Sequence, residues 1–149
     1  MKNILFLCLS FFIGACMIPD IYTFQKNFVV GTEKEVTVGS SMIFVETKHS
    51  DGKSNFPFSG FRQELSYLGI DHNVISIGYT EYGYHEGDLL ARGNFFQSLK
   101  YDLTSSDTIT FRNIDLKVIE ATAKKIHFIV LSNPFLDFDT VATKSPWVQ

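Results

Sequence analysis

Glu81 is the carboxylate best placed to do chemistry in this chain. Strand alternation over residues 74–84 sets it on one face with Ile75, Ile77 and Tyr79, and a carboxylate among apolar neighbours is the usual setting for an acid or base with a shifted pKa. It stands at the end of that strand, where the face leaves the core, so a hydrogen-bonded structural glutamate is the reading adopted. Its natural helper Arg92 falls on the opposite face, opposite Tyr82, in the strand register argued below. His49, His72, His85 and His127 have no metal-ligand spacing, since no two stand three or four residues apart and zinc needs three or four convergent ligands. Asp137-Phe138-Asp139 lacks the glycine and later glutamate of a calcium loop. No serine lies in Gly-x-Ser-x-Gly, and no glycine loop would cradle a phosphate. Neither catalytic residues nor a metal or other cofactor are expected, and the chain is read as a non-enzyme. Of the two thiols, Cys8 lies inside an apolar run and Cys16 closes it, directly after Ile13-Gly14-Ala15.

The surroundings of Cys16 resemble a lipobox, the signal by which bacteria lipidate a cysteine. The run from Ile4 to Ile13 follows the basic Lys2 and is too short for a permanent span, which needs about 20 apolar residues, whereas basic start, apolar centre and small residues make a signal peptide. The resemblance implies cleavage before Cys16, a thioether-linked diacylglycerol on its sulfur and an N-acyl chain such as palmitate on its nitrogen. Several chains make a stable anchor, each buried CH₂ contributing about 0.8 kcal/mol. Met17 stands where inner-membrane retention would place an aspartate, which by resemblance directs the protein to the outer membrane, facing the periplasm.

Removing residues 1–15 takes Lys2 with it and leaves 12 basic against 16 acidic side chains, a formal charge of −4. Nothing basic is gathered for nucleic acid, and the membrane enters only through the lipid on Cys16. Nineteen of the 22 aromatic residues remain, a load that favours sheets with packed faces. With Cys16 acylated no thiol is left for a disulfide or metal. Stability must come from one core, which a chain of this length can supply.

That core is expected to be all-β, an antiparallel sandwich or partly closed barrel of about seven or eight strands, because short alternating segments separated by turn residues recur and no helix-length apolar stripe appears. The spacing predicts strands over 22–30, 35–46, 61–68, 74–84, 90–103, 108–112, 114–121 and 124–131. Residues 16–34 form the anchor region and first strand, 35–131 the β core and 132–149 a tail. Gly31-Thr32-Glu33-Lys34 reads as a hairpin loop, Gly39-Ser40-Ser41 as a bulge or corner, and the stretch from Ser50 to Asn55 as a long polar loop. Keeping one apolar face across the central hairpin selects a five-residue loop, His85 to Leu89, pairing Tyr79 with Phe95, Ile77 with Gln97 and Ile75 with Leu99. The same rule pairs Leu103 with Ile109 and Tyr101 with Phe111 in the next hairpin. A final turn at Thr122-Ala123 sets Val118 by His127, Leu116 by Ile129 and Glu120 by Lys125.

In that register Tyr82, Tyr84 and Arg92 gather on the face away from Ile75 and Ile77, beside the loop tip. Tyrosine and arginine often dominate contact energy, so these three form a candidate contact patch for an envelope protein partner. Ile77-Gly78-Tyr79-Thr80-Glu81-Tyr82, Ala91-Arg92, Phe96-Gln97, Tyr101-Asp102-Leu103 and Ile119-Glu120-Ala121 together resemble small bacterial envelope lipoproteins of unassigned activity. The expectation is a lipid-anchored binding or structural module. An inhibitor or immunity-type lipoprotein that blocks a wall-active enzyme is the alternative.

Overall fold

The structure is a computed structural model and describes residues 21–50 and 57–133; the lipobox, most of the polar loop and the tail lie outside them. The described residues form nine strands: β1 Ile21–Lys26, β2 Glu33–Thr37, β3 Ser41–Ser50, β4 Ser59–Asp71, β5 Val74–His85, β6 Asp88–Asp102, β7 Thr108–Phe111, β8 Ile114–Ala121 and β9 Lys125–Ser132. They build two antiparallel sheets, β1-β3-β4-β5-β6 and β2-β9-β8-β7, which face each other as a sandwich and do not close into a barrel. The expected all-β class is therefore what the chain adopts.

Alternation selects the inner faces. Ile43, Val45, Leu65, Tyr67, Ile75, Ile77 and Tyr79 of the larger sheet meet Ile109, Ile114, Leu116, Val118, Ile126, Phe128 and Val130 of the smaller. Tyr67 also spans the sandwich by a polar contact, its hydroxyl donating to the carbonyl of Thr122 at 2.7 Å.

The first two predicted strands do not form a hairpin. β1 pairs with β3 and β2 with β9, and the turn before β2 is tied to the second sheet by Gly31 N donating to Val130 O at 2.8 Å. Lys34, expected in the loop, is a strand residue whose ammonium donates to the carbonyls of Asn27 and Met42. Burial depresses its pKa. At Gly39-Ser40-Ser41 there is indeed a corner, and it divides the single predicted strand 35–46 between the two sheets. Gly39 N donates to Tyr67 O, and Tyr67 N to Ser40 O, so β4 holds the corner in place.

The hairpin expected between β6 and β7 is also absent, because these strands lie in different sheets. The Asp102 carboxylate accepts from Thr104 N at 2.8 Å and Thr104 Oγ1 at 2.7 Å, a side-chain turn that carries the chain out of the larger sheet. Between β8 and β9 the register is one residue away from the expected pairing at Val118 and Leu116 and two away at Glu120, which faces His127. Val118 faces Phe128 and Leu116 faces Val130. Thr122 N closes the turn on Lys125 O, and an irregularity at Ile119 shifts the ladder so that the buried residues of β8 and β9 meet.

In the central hairpin the turn is Glu86-Gly87, with His85 paired to Asp88, instead of a five-residue loop. Ile75 pairs with Tyr101, Ile77 with Leu99 and Tyr79 with Gln97, two residues from the predicted partners. Because that shift is even, the apolar face survives it. The missing residues are taken up in a bulge, where β5 spends Glu81 alone while β6 spends residues 92–95.

Ile77 is fully buried, Leu99 packs at the core margin and Ser98 is exposed. Ile77→Asp is expected to unfold the domain, since an unpaired buried carboxylate costs several kcal/mol against a total of about 5–15 kcal/mol. Leu99→Asp should be intermediate and Ser98→Asp within about 0.5 kcal/mol of wild type. Thermal melts followed by circular dichroism check the order.

Candidate functional site

The strands of the larger sheet are longer than those they face, with β4 and β5 running 13 and 12 residues against 8 each for β8 and β9. At one end, where β1 begins, β3 ends and the β5–β6 turn lies, the inner face of the larger sheet carries on past its apolar core residues. A groove of about 570 Å³ opens there, lined among others by Tyr22, His49, Phe61, Gln63, Glu81 and Arg92. That volume lies in the ordinary range of ligand clefts.

Glu81 stands at the inner limit of this groove, and its side chain is 17% exposed. Its Oε1 accepts from the Tyr79 hydroxyl in a short contact, from Gln63 Nε2 at 3.3 Å and from Arg112 at 3.3 Å. Arg112 belongs to the β7–β8 turn of the other sheet and also lies over the Tyr79 ring, 5.2 Å from its centroid. The pair thus ties the two sheets together at the open end. Burial first, and then the hydrogen bond to Glu81, push the Tyr79 phenol well above its ordinary pKa, so Tyr79 remains a donor. Three donors thus converge on one oxygen of Glu81.

A second carboxylate, absent from the sequence-based candidates, is more deeply buried. Glu46 on β3 is 0% exposed, although alternation assigns it to the outer face with Phe44 and Lys48. Arg62 of β4 donates to its Oε2 through Nε at 3.2 Å and a terminal nitrogen at 2.8 Å, Tyr84 of β5 donates to Oε1 in a short contact, and Lys48 Nζ stands 3.3 Å from Oε1. The Arg62 guanidinium lies on the Phe44 ring at 4.1 Å. Burial would raise the Glu46 pKa, but the hydrogen bonds from Tyr84 and Arg62 and the charges of Arg62 and Lys48 outweigh it and hold the carboxyl below its ordinary value. Its burial comes from long side chains on two neighbouring strands, a cross-strand property that hydropathy along β3 does not carry.

Of the candidate patch of Tyr82, Tyr84 and Arg92, the last two both line the groove. Tyr84 is committed to Glu46, Tyr82 pairs across the ladder with Arg62 and Ala91, and Arg92 falls in the bulge instead of opposite Tyr82. A Cβ added at Gly83 would stand 3.0 Å from Arg92 Nε, so the arginine lies over Gly83 on the groove side of the sheet, where only a residue without a side chain leaves it room. Gly60 is constrained for another reason: a Cβ there would lie 2.2 Å from the Thr47 carbonyl oxygen.

The histidines are separate. His49 stacks on Tyr22 with centroids 4.2 Å apart and 6° between planes, and meets the edge of Phe58 at 4.2 Å. His72 sits with Asp71 in the β4–β5 turn, His85 is exposed, and His127 lies 3.0 Å from Glu33. Among the described residues no group of three or more His, Cys, Asp or Glu gathers to hold a metal ion.

Arg62→Met is expected to raise the Glu46 pKa and lower stability by about 1.5–3 kcal/mol at neutral pH, the range for a hydrogen bond to a charged group. A carboxylate whose pKa is depressed in the fold contributes stability above its unfolded pKa, and that stability is lost as pH falls through the folded value. The variant should therefore begin its acid loss at a higher pH than wild type. Denaturant titrations at a series of acidic pH values measure the displacement.

Comparison with protein-family models, with curated proteins and with solved structures yields no match to this chain.

Proposed function

We propose that the chain is a lipid-anchored protein of the bacterial cell envelope whose β-sandwich serves as a binding or structural module and not as an enzyme. The observation that carries this reading is Ile13-Gly14-Ala15-Cys16 at the end of an apolar run that follows Lys2, the arrangement that a lipidating and cleaving machinery requires. The open end of the sandwich supports the binding half of it. That end offers a broad groove with aromatic walls and an arginine, while one oxygen of its Glu81 carboxylate already accepts from Tyr79, Gln63 and Arg112. An acid or base needs a carboxylate able to exchange its proton with substrate, and Glu81 and Glu46 are both engaged.

Cys16→Ala is expected to leave an unlipidated precursor that no longer partitions with the outer membrane, because the thiol is the site of the thioether. Membrane fractionation and intact mass decide the matter: a variant with normal acyl mass in the outer membrane would remove the reading. Crosslinking of the intact protein in cells then identifies what the module touches. Recovery of one stoichiometric wall hydrolase would turn the reading toward an inhibitor.

A further inference from the structure

Several exposed apolar residues gather at the end where the chain would leave its anchor, apart from Leu68 and Phe96, which flank Gly78 farther along the larger sheet. Tyr22 is 46% exposed, Phe58 52%, Phe61 44% and Leu90 51%. Ladder pairing brings them together: Tyr22 faces His49 across β1–β3, Phe58 packs its ring against that histidine, and Phe61, Gly83 and Leu90 form one row across β4, β5 and β6. Arg92 lies over Gly83 in the same row and makes no ion pair among the described residues. Lys48, beside the groove, is engaged by Glu46. The β4–β5 turn at the other end carries His72, whose side chain is 94% exposed.

Chain length connects this end to the bilayer. Four residues separate Cys16 from Ile21, where β1 begins, and five residue steps span at most about 17 Å when fully extended. Along the sandwich the 12 residues of β5 cover about 40 Å at the usual strand rise. A domain tethered so briefly at one end keeps that end within reach of the headgroup layer and holds the other away from it. Aromatic side chains with an apolar body and a polar edge are the type that settles at a membrane interface, and a basic side chain beside them favours anionic headgroups.

From this geometry we infer that the open end of the sandwich, through Tyr22, Phe58, Phe61, Leu90 and Arg92, docks on the lipid headgroup layer into which Cys16 is anchored, so that the strands stand away from the membrane with the β4–β5 turn outermost. The inference rests on acylation of Cys16. It adds the orientation of the domain and the occupant of its groove end.

The test uses the lipidated full-length chain reconstituted in vesicles of phosphatidylethanolamine and phosphatidylglycerol, with an environment-sensitive fluorophore attached at Phe61→Cys, at Leu90→Cys or at His72→Cys. Both groove-end positions are already exposed, so each reports if the other label disturbs the fold. Quenching by brominated lipid is expected to be several-fold stronger at positions 61 and 90 than at 72, and quenching by aqueous iodide several-fold weaker than for the same proteins in detergent-free solution after removal of the acyl chains. Equal lipid quenching at all three positions, or stronger quenching at 72, overturns the docking. So does protection of positions 61 and 90 in native membranes that is absent in pure lipid vesicles, which would assign this end to a protein partner. Acyl mass measured on each preparation separates the two readings: an acylated, vesicle-bound chain with an unprotected groove end sinks the docking alone, and an unacylated chain sinks the anchor on which it rests.

Discussion

One alternating face of β5 holds the two sheets together. Ile75, Ile77 and Tyr79 point into the sandwich at consecutive inner positions, with 0–4% exposure, and the neighbouring strands must set their own apolar residues against them. The next inner position is Glu81, a carboxylate where another apolar residue would extend the core. Placing a charge there is tolerable only with donors at hand, and they come from both layers: Tyr79 and Gln63 beside it, Arg112 across from it. The core thus ends in a polar clasp, and the groove starts where the clasp stops.

On the other side of the same strands a second carboxylate sets a matching constraint. Glu46 is out of contact with water although it sits on an outer face, and burial of a charge opposes its ionisation. Two cations and a phenol reverse that balance. Arg62 contributes more than charge, since its plane covers Phe44 and its fork satisfies one carboxylate oxygen twice. The arrangement binds β3, β4 and β5 by side chains at the very end of the sheet where the smaller sheet gives them least cover. A buried ion pair of this kind is weak evidence for net stability, but it fixes the relative positions of three strands.

Much of the architecture was legible in the residue pattern, because alternation survives errors that preserve parity. Ile75, Ile77, Tyr79, Leu99 and Tyr101 share a face in the structure as expected, although their pairings across the central hairpin are displaced by two residues. The β8–β9 pairing missed by one or two residues, since a threonine-closed turn and an irregularity at Ile119 are geometric events that hydropathy does not register. Sheet membership was not legible at all. Hairpin logic joins consecutive strands, whereas here β1 and β2, and likewise β6 and β7, lie in different layers. The candidate site divided in the same way: the strand position of Glu81 could be read, its partner Arg112 and the burial of Glu46 could not, because each depends on which strands become neighbours.

The bulge that takes Arg92 away from Tyr82 has a further effect at the edge of the larger sheet. β6 is the outermost strand of the larger sheet and the longest in the fold at 15 residues, so its outer edge carries a row of backbone donors and acceptors that could template another strand. A straight edge of that length would invite sheet-to-sheet fusion, but residues 92–95 interrupt the ladder and divide the edge into two shorter runs, and Lys100 places a charge on the longer of them. The irregularity that moves the arginine therefore also makes the edge a poor template for a further strand.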